Sequence, residues 1–133
     1  MKTTVLDASA VLALLFDEPG AEKMENLFEQ AADADKPMMM SAINWAEVLY
    51  KMQHKKGALG LEGARQLERT MPLAIEVVDR ESAEAAAELK ASHGLGLADA
   101  FAAALAKHKK AELVTGDLEF KEVENQIKIN WMK

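Results

Sequence analysis

Short apolar runs alternate with longer helical patterns along the 133-residue chain, and this alternation restricts the fold more than any other feature. "TTVLD" (3–7) has the length and branching of a strand, and "SAVLALLF" (9–16) that of a buried helix with Ser9 near its start, stopped by "DEPG". "AEKMENLFEQAA" (21–32) carries Met24, Leu27, Phe28 and Ala31 at helical spacing. A short strand follows at "PMMM" (37–40), then Ser41 as an N-cap for the helix "AINWAEVLYKMQHKK" (42–56), which Gly57 ends. A shorter helix is expected over 61–71, a strand over 73–78, and a helix over 80–92 with Asp79 as its cap. After the break "HGLG" come the alanine-rich helix 97–109, a strand and turn at 112–117, a short helix at "LEFKEV" and a last strand at 127–131. Five strands alternating with helices predict a three-layer α/β/α fold. Its central five-stranded sheet is mostly parallel and covered on both faces. In such sheets, sites form outside the carboxyl ends of the strands.

The length suits one domain over 1–133, enough to bury a real core. With no cysteine, the chain has neither a disulfide framework nor a thiolate metal site. The apolar N-terminal run is interrupted by Asp7 and lacks a small-residue cleavage site, so it does not read as a secretory signal. No window approaches the uninterrupted apolar length of a membrane span. A cytoplasmic protein is expected. The formal net charge of −6 argues mildly against a nucleic-acid partner until the position of the acids is considered.

Most of the 22 acidic residues fall on polar helix faces and need no functional reason. Four are out of place. Asp7 ends the first strand, Glu47 lies in the helix after the second strand between Ala46 and Val48, Asp99 opens the apolar helix "LADAFAAALA", and Asp117 follows "LVTG". Three of the four lie at the carboxyl end of a strand or the amino end of a helix, places that share one edge of a parallel sheet. Each of these three has a local explanation as well: Asp7 as a helix cap, Asp99 as a partner of its helix dipole, Asp117 as an Asx-turn residue. Glu47 caps nothing. Four separate local reasons are a poorer account than one shared cause.

That cause is a hard cation. Clustered carboxylates raise one another's pKa unless a positive charge sits among them, and Mg²⁺ and Mn²⁺ take oxygen ligands. A site of this kind activates water and stabilises phosphoryl oxygens during in-line displacement. His54 and His108 lie in basic stretches and His93 in a loop, and none is placed for zinc. Neither H-E-x-x-H, nor G-x-x-x-x-G-K-[ST], nor G-x-S-x-G is present. Two hydroxyls accompany the acids: Ser9, two residues after Asp7, and Thr115, two before Asp117. Each suits a carboxylate or a phosphate, and equally a helix cap or an ordinary strand residue.

"VLDASAVLALLFDEPGAE", "MSAINWAEVLYK", "GLGLADAFAAALAK" and "LVTGDLEF" resemble the successive motifs of the PIN-domain ribonucleases, most of all the VapC toxins of VapBC toxin–antitoxin systems. The resemblance runs from residue 4 to about 120. It implies a PIN-like fold and a Mg²⁺- or Mn²⁺-dependent endoribonuclease. Asp7, Glu47 and Asp99 would be the metal-binding acids, with Asp117 as the more variable fourth and Glu119 standing where the family often has a second acid. Ser9 and Thr115 match polar positions beside the first and last acids. It further implies a homodimer, structured RNA such as tRNA or rRNA as substrate, and inhibition by a VapB-like antitoxin whose tail fills the site.

The charge objection then softens. Without the four acids, 18 acidic residues face 16 basic ones. The basic clusters "KMQHKK" (Lys51, Lys55, Lys56) and "KHKK" (Lys107, Lys109) are candidate contacts for RNA backbone, or basic helix ends favoured by the dipole. Two other readings stay open. A phosphatase with Asp7 as nucleophile would want a second acid two residues on, where Ser9 stands. A receiver-like module without nuclease activity would want a lysine after the fifth strand, where only the terminal Lys133 is available, with Lys2 near the first strand.

Overall fold

A computed structural model describes residues 2–132, which leaves Met1 and Lys133 outside the description. The elements follow in the order β1 (Thr4–Leu6), α1 (Ala8–Leu15), α2 (Ala21–Asp33), β2 (Met38–Ser41), α3 (Ala42–Thr70), β3 (Leu73–Glu76), α4 (Arg80–Ser92), α5 (Leu97–Lys109), β4 (Glu112–Thr115), a 3-10 helix (Leu118–Val123) and β5 (Ile129–Trp131). The sheet has the order β3-β2-β1-β4-β5, and every pairing is parallel.

Successive strand residues point to opposite faces, which divides the core in two. Leu6, Met38, Met40 and Val114 pack with α1, α2 and α3 on one face. Val5 and Leu113 pack with α4, α5 and the 3-10 helix on the other. Both faces are covered, as a parallel sheet requires. From β1 the chain first builds outward through β2 to β3, then returns to place β4 on the opposite side of β1. The carboxyl ends of β1 and β4 therefore flank the switch point, where α/β sheets open a crevice.

The local signals for capping hold. Ser41 Oγ accepts from Ile43 N at 3.2 Å and starts α3, and Asp79 accepts from Ser82 N at 2.8 Å and starts α4. Three boundaries differ from expectation. The helices expected over 42–56 and 61–71 are one kinked helix, because Gly57 (φ 62°, ψ −146°) turns the chain without a loop. Only glycine enters that region readily. β3 ends at Glu76 because β2 offers no partner beyond Ser41, and Val77 is left exposed. The first helix starts at Ala8 with Asp7 as its cap. Among the described residues no helix is long and apolar enough to cross a membrane.

Candidate metal centre

The β1–β4 register pairs Leu6 with Val114, so the next residues on each strand, Asp7 and Thr115, stand side by side beyond the end of the ladder. Thr115 Oγ1 donates to Asp7 Oδ2 at 2.6 Å. Ser9 Oγ lies 2.8 Å from Asp7 Oδ1 and 3.0 Å from Oδ2, and Ala10 N donates to Oδ1 at 3.0 Å. Asp7 is only 2% exposed. Burial pushes its carboxyl up to about 6, against the opposing pull of the Thr115, Ser9 and Ala10 hydrogen bonds.

Ser9 and Thr115 are more than neighbours of the acids. Ser9 Oγ also accepts from Gly116 N at 3.1 Å, and Thr115 Oγ1 accepts from Asp117 N at 2.9 Å. The two hydroxyls thus tie the start of α1 to the turn after β4. Asp117 in turn accepts from Glu119 N at 2.9 Å and caps the 3-10 helix. The local explanations for Asp7 and Asp117 are therefore correct and compatible with a shared site, because a cap uses only part of a carboxylate's acceptor capacity.

Asp99 sits in the first turn of α5. A helix amino end ordinarily favours a carboxylate. Here burial and the neighbouring Asp117 prevail, with Asp7 and Glu119 adding to them, and the Asp99 carboxyl is pushed up to about 8. Ligand oxygens of Asp99, Asp117 and Glu119 all lie within 4.8 Å of one another. Glu119 thus joins the group, although its alternation with apolar neighbours in "LEFKEV" carried little signal of that.

Glu47 projects from the second turn of α3, about 9 Å along the helix from the end of β2. It lines the same cleft, of about 320 Å³, as Asp7, Ser9, Asp99 and Asp117. Its carboxylate is paired with Lys51 Nζ at 2.7 Å, and that pairing holds the Lys51 ammonium above its usual range. This i,i+4 pair is the local partner that the sequence had hidden in plain spacing. Phe16 and Glu18 complete the lip of the cleft. Sequence reasoning passed over these two. It passed over Asn44 as well, a buried amide whose Nδ2 donates to Ala98 O at 3.1 Å and fastens α3 to the residue before Asp99. The one legible sign of Asn44 was an amide on the helix face that carries Val48 and Met52.

The remaining candidates lie apart. Lys55 and Lys56 end the first segment of α3 near Phe16. Lys107 and Lys109 end α5 away from the cleft, where Lys107 meets Gln126 and Lys109 pairs with Glu76, the last residue of β3, at 3.4 Å.

The donor set is all oxygen, with no histidine or cysteine lining the cleft. A carboxyl pushed up by burial and by like charges, beside two further acids, is the arrangement that a hard divalent cation relieves. The residues present fit such an ion.

An all-parallel sheet with helices on both faces and an acidic cleft at its switch point defines an α/β protein with a candidate cation site. The chain belongs to the PIN domain family, whose pattern matches residues 4–126. Three solved structures show the same fold. VapBC2 from Rickettsia felis bound to a promoter DNA fragment matches with a TM-score of 0.78 at 20% identity, over 97% of this chain and 98% of the other. DNA-bound VapBC from Salmonella typhimurium matches with 0.74 at 19%, over 100% of both chains. VapC20 from Mycobacterium tuberculosis, described as a sarcin–ricin loop cleaving toxin, matches with 0.72 at 19%, over 90% and 93%. No curated protein sequence matches the chain.

Proposed function

We propose that this chain is a Mg²⁺- or Mn²⁺-dependent endoribonuclease of the VapC type, the toxin of a toxin–antitoxin pair. The observation that carries this reading is the convergence of Asp99, Asp117 and Glu119 beside Asp7 at the switch point of a PIN fold. A VapC relative described as cleaving an rRNA loop supports structured RNA, tRNA or rRNA, as the substrate class. VapBC complexes of the same fold support a VapB-like antitoxin as partner. An acidic cleft also suits an arginine-bearing inhibitor tail. The homodimer and the cytoplasmic setting follow from the resemblance.

In this reading Asp7, Glu47, Asp99 and Asp117 hold the ion, with Glu119 beside them. When bound, a divalent ion supplies Lewis-acid activation of water and neutralises charge on the scissile phosphate. The chain's own part is pre-organisation. Thr115, Ser9 and Ala10 hold Asp7 at fixed orientation, so that its buried charge costs less. Asp99 surrenders its proton when the site is loaded. Asn44 keeps the start of α5, and with it Asp99, against α3.

The test is incubation of the purified protein with tRNA and rRNA in Mg²⁺, Mn²⁺ or EDTA, followed by sequencing of the new 5′-ends. Discrete cleavage that EDTA and Asp99→Asn both abolish is expected. Cleavage at the parental rate by Asp99→Asn, or in EDTA, would overturn the assignment.

A further inference from the structure

Two lysine clusters compete for the role of substrate contact, and the fold separates them. The last turn of α5, with Lys107, Lys109 and Lys110, lies away from the cleft: α5 presents only its start there, Lys107 meets Gln126, and Lys109 pairs with Glu76 at the end of β3. The α3 cluster begins inside the cleft. Lys51 is the single cation among the cleft's lining residues. One turn further along the same helix face stands Lys55, and Lys56 follows at the last residue before the Gly57 kink.

These two side chains do not simply extend into solvent. Lys55 Nζ and Lys56 Nζ each lie 5.7 Å from the centre of the Phe16 ring. Phe16 packs at the edge of the core and lines the mouth of the cleft. Among the described residues neither ammonium is within ion-pair distance of a carboxylate. An aromatic face that gathers two cations confines otherwise mobile side chains at lower entropic cost on ligand binding. Glu18 on the same lip repels phosphate and leaves the α3 side as the favoured entry.

We propose, resting on the ribonuclease reading above, that Lys51, Lys55 and Lys56 form a phosphate track, with Phe16 as its platform, that leads a single-stranded segment of RNA along α3 into the acidic cleft, and that the α5 cluster takes no part. The track reads backbone charge rather than base identity, because ammonium groups contact phosphates without discriminating sequence. Phe16, Lys55 and Lys56 are positioning residues in this assignment, remote from the reacting atoms.

The test measures binding of a short fluorescein-labelled single-stranded RNA by anisotropy across a salt series. The full chain is kept in EDTA, so that binding is read without cleavage. Each phosphate contact contributes about 0.7 to the log–log salt slope for single strands. The triple variant Lys51→Gln/Lys55→Gln/Lys56→Gln is expected to flatten the slope by about 2. The charge-matched Lys107→Gln/Lys109→Gln/Lys110→Gln variant is expected to leave it unchanged. Phe16→Leu keeps an apolar side chain against the core and removes the ring face, and about threefold weaker binding at low salt is expected. In the cleavage assay with Mn²⁺, Lys55→Gln/Lys56→Gln should raise KM and leave kcat near the parental value. An unchanged slope in the α3 variant, or an equal flattening in the α5 variant, overturns the track. Loss of cleavage by the wild type overturns the ribonuclease reading instead, so the two failures are distinguishable.

Discussion

Asp99, in the first turn of α5, and Asp117, in the turn after β4, bring carboxylate oxygens within 4.8 Å of each other, and burial together with Asp117 raises the Asp99 carboxyl to about 8. Two carboxylates in this position cannot both ionise cheaply without a cation between them.

The first consequence concerns pH. Burial and the neighbouring acids push the Asp99 carboxyl up to about 8, and burial pushes the Asp7 carboxyl up to about 6, both above the 3.8 of a free aspartate. Between about pH 4 and 8 the unfolded chain therefore binds fewer protons than the native one, and stability falls as pH rises. Metal-free protein should show a melting temperature that declines over this window and levels off above it. Thermal melts in EDTA at stepped pH check this, and a flat profile from pH 4 to 8 would sink it.

Loading with Mn²⁺ or Mg²⁺ should reverse that loss. Because Asp99 must ionise to bind, affinity should rise by about tenfold per pH unit between about pH 6 and 8, with close to one proton released per ion. Calorimetric titration in buffers of different ionisation heat counts the protons. A melting temperature unmoved by saturating Mn²⁺ would contradict a shared site, since a ligand at about 100 times its Kd adds about 2.7 kcal/mol.

Asp99→Asn should retain the fold, because the amide keeps the shape of the carboxyl while the like-charge repulsion with Asp117 disappears. In EDTA at pH 8 it should melt at or above the parental temperature, and it should gain nothing from Mn²⁺. Scanning calorimetry with and without the ion separates these statements. A variant that melts well below the parent without metal would show that Asp99 is structural.

Thr115→Val removes the donor to Asp7 Oδ2 and the acceptor for Asp117 N in one buried position. A cost of about 1–3 kcal/mol is expected, with at least about tenfold weaker Mn²⁺ binding. Urea unfolding and metal titration measure the two effects, and parental values in both would remove Thr115 from the site's support.

Two glycines of α3 should respond in opposite directions. A Cβ at Gly60 would collide with the Met52 carbonyl oxygen, whereas one at Gly63 meets nothing. Gly60→Ala should destabilise by about 1–3 kcal/mol. Gly63→Ala should stabilise by up to about 1 kcal/mol through helix propensity. Chemical unfolding that gave both the same sign would refute the kinked packing of this helix.

Much of this protein was legible in its residues alone. Strand and helix alternation, the caps at Ser41 and Asp79, and acids at strand ends are written within a few positions of one another, so local periodicity and capping chemistry reveal them. The parallel sheet follows from that alternation. What the tertiary structure decided was which residues meet. Strand order and register alone place Thr115 against Asp7 and bring Glu119 to Asp99 and Asp117. Helix rise carries Glu47 up the wall of the cleft, into the hold of Lys51. The direction of α5 carries Lys107 and Lys109 away from the cleft, while the Gly57 kink ends the α3 segment with Lys55 and Lys56 beside Phe16. Contacts between positions a hundred residues apart depend on how elements pack, and no window of the chain contains that information.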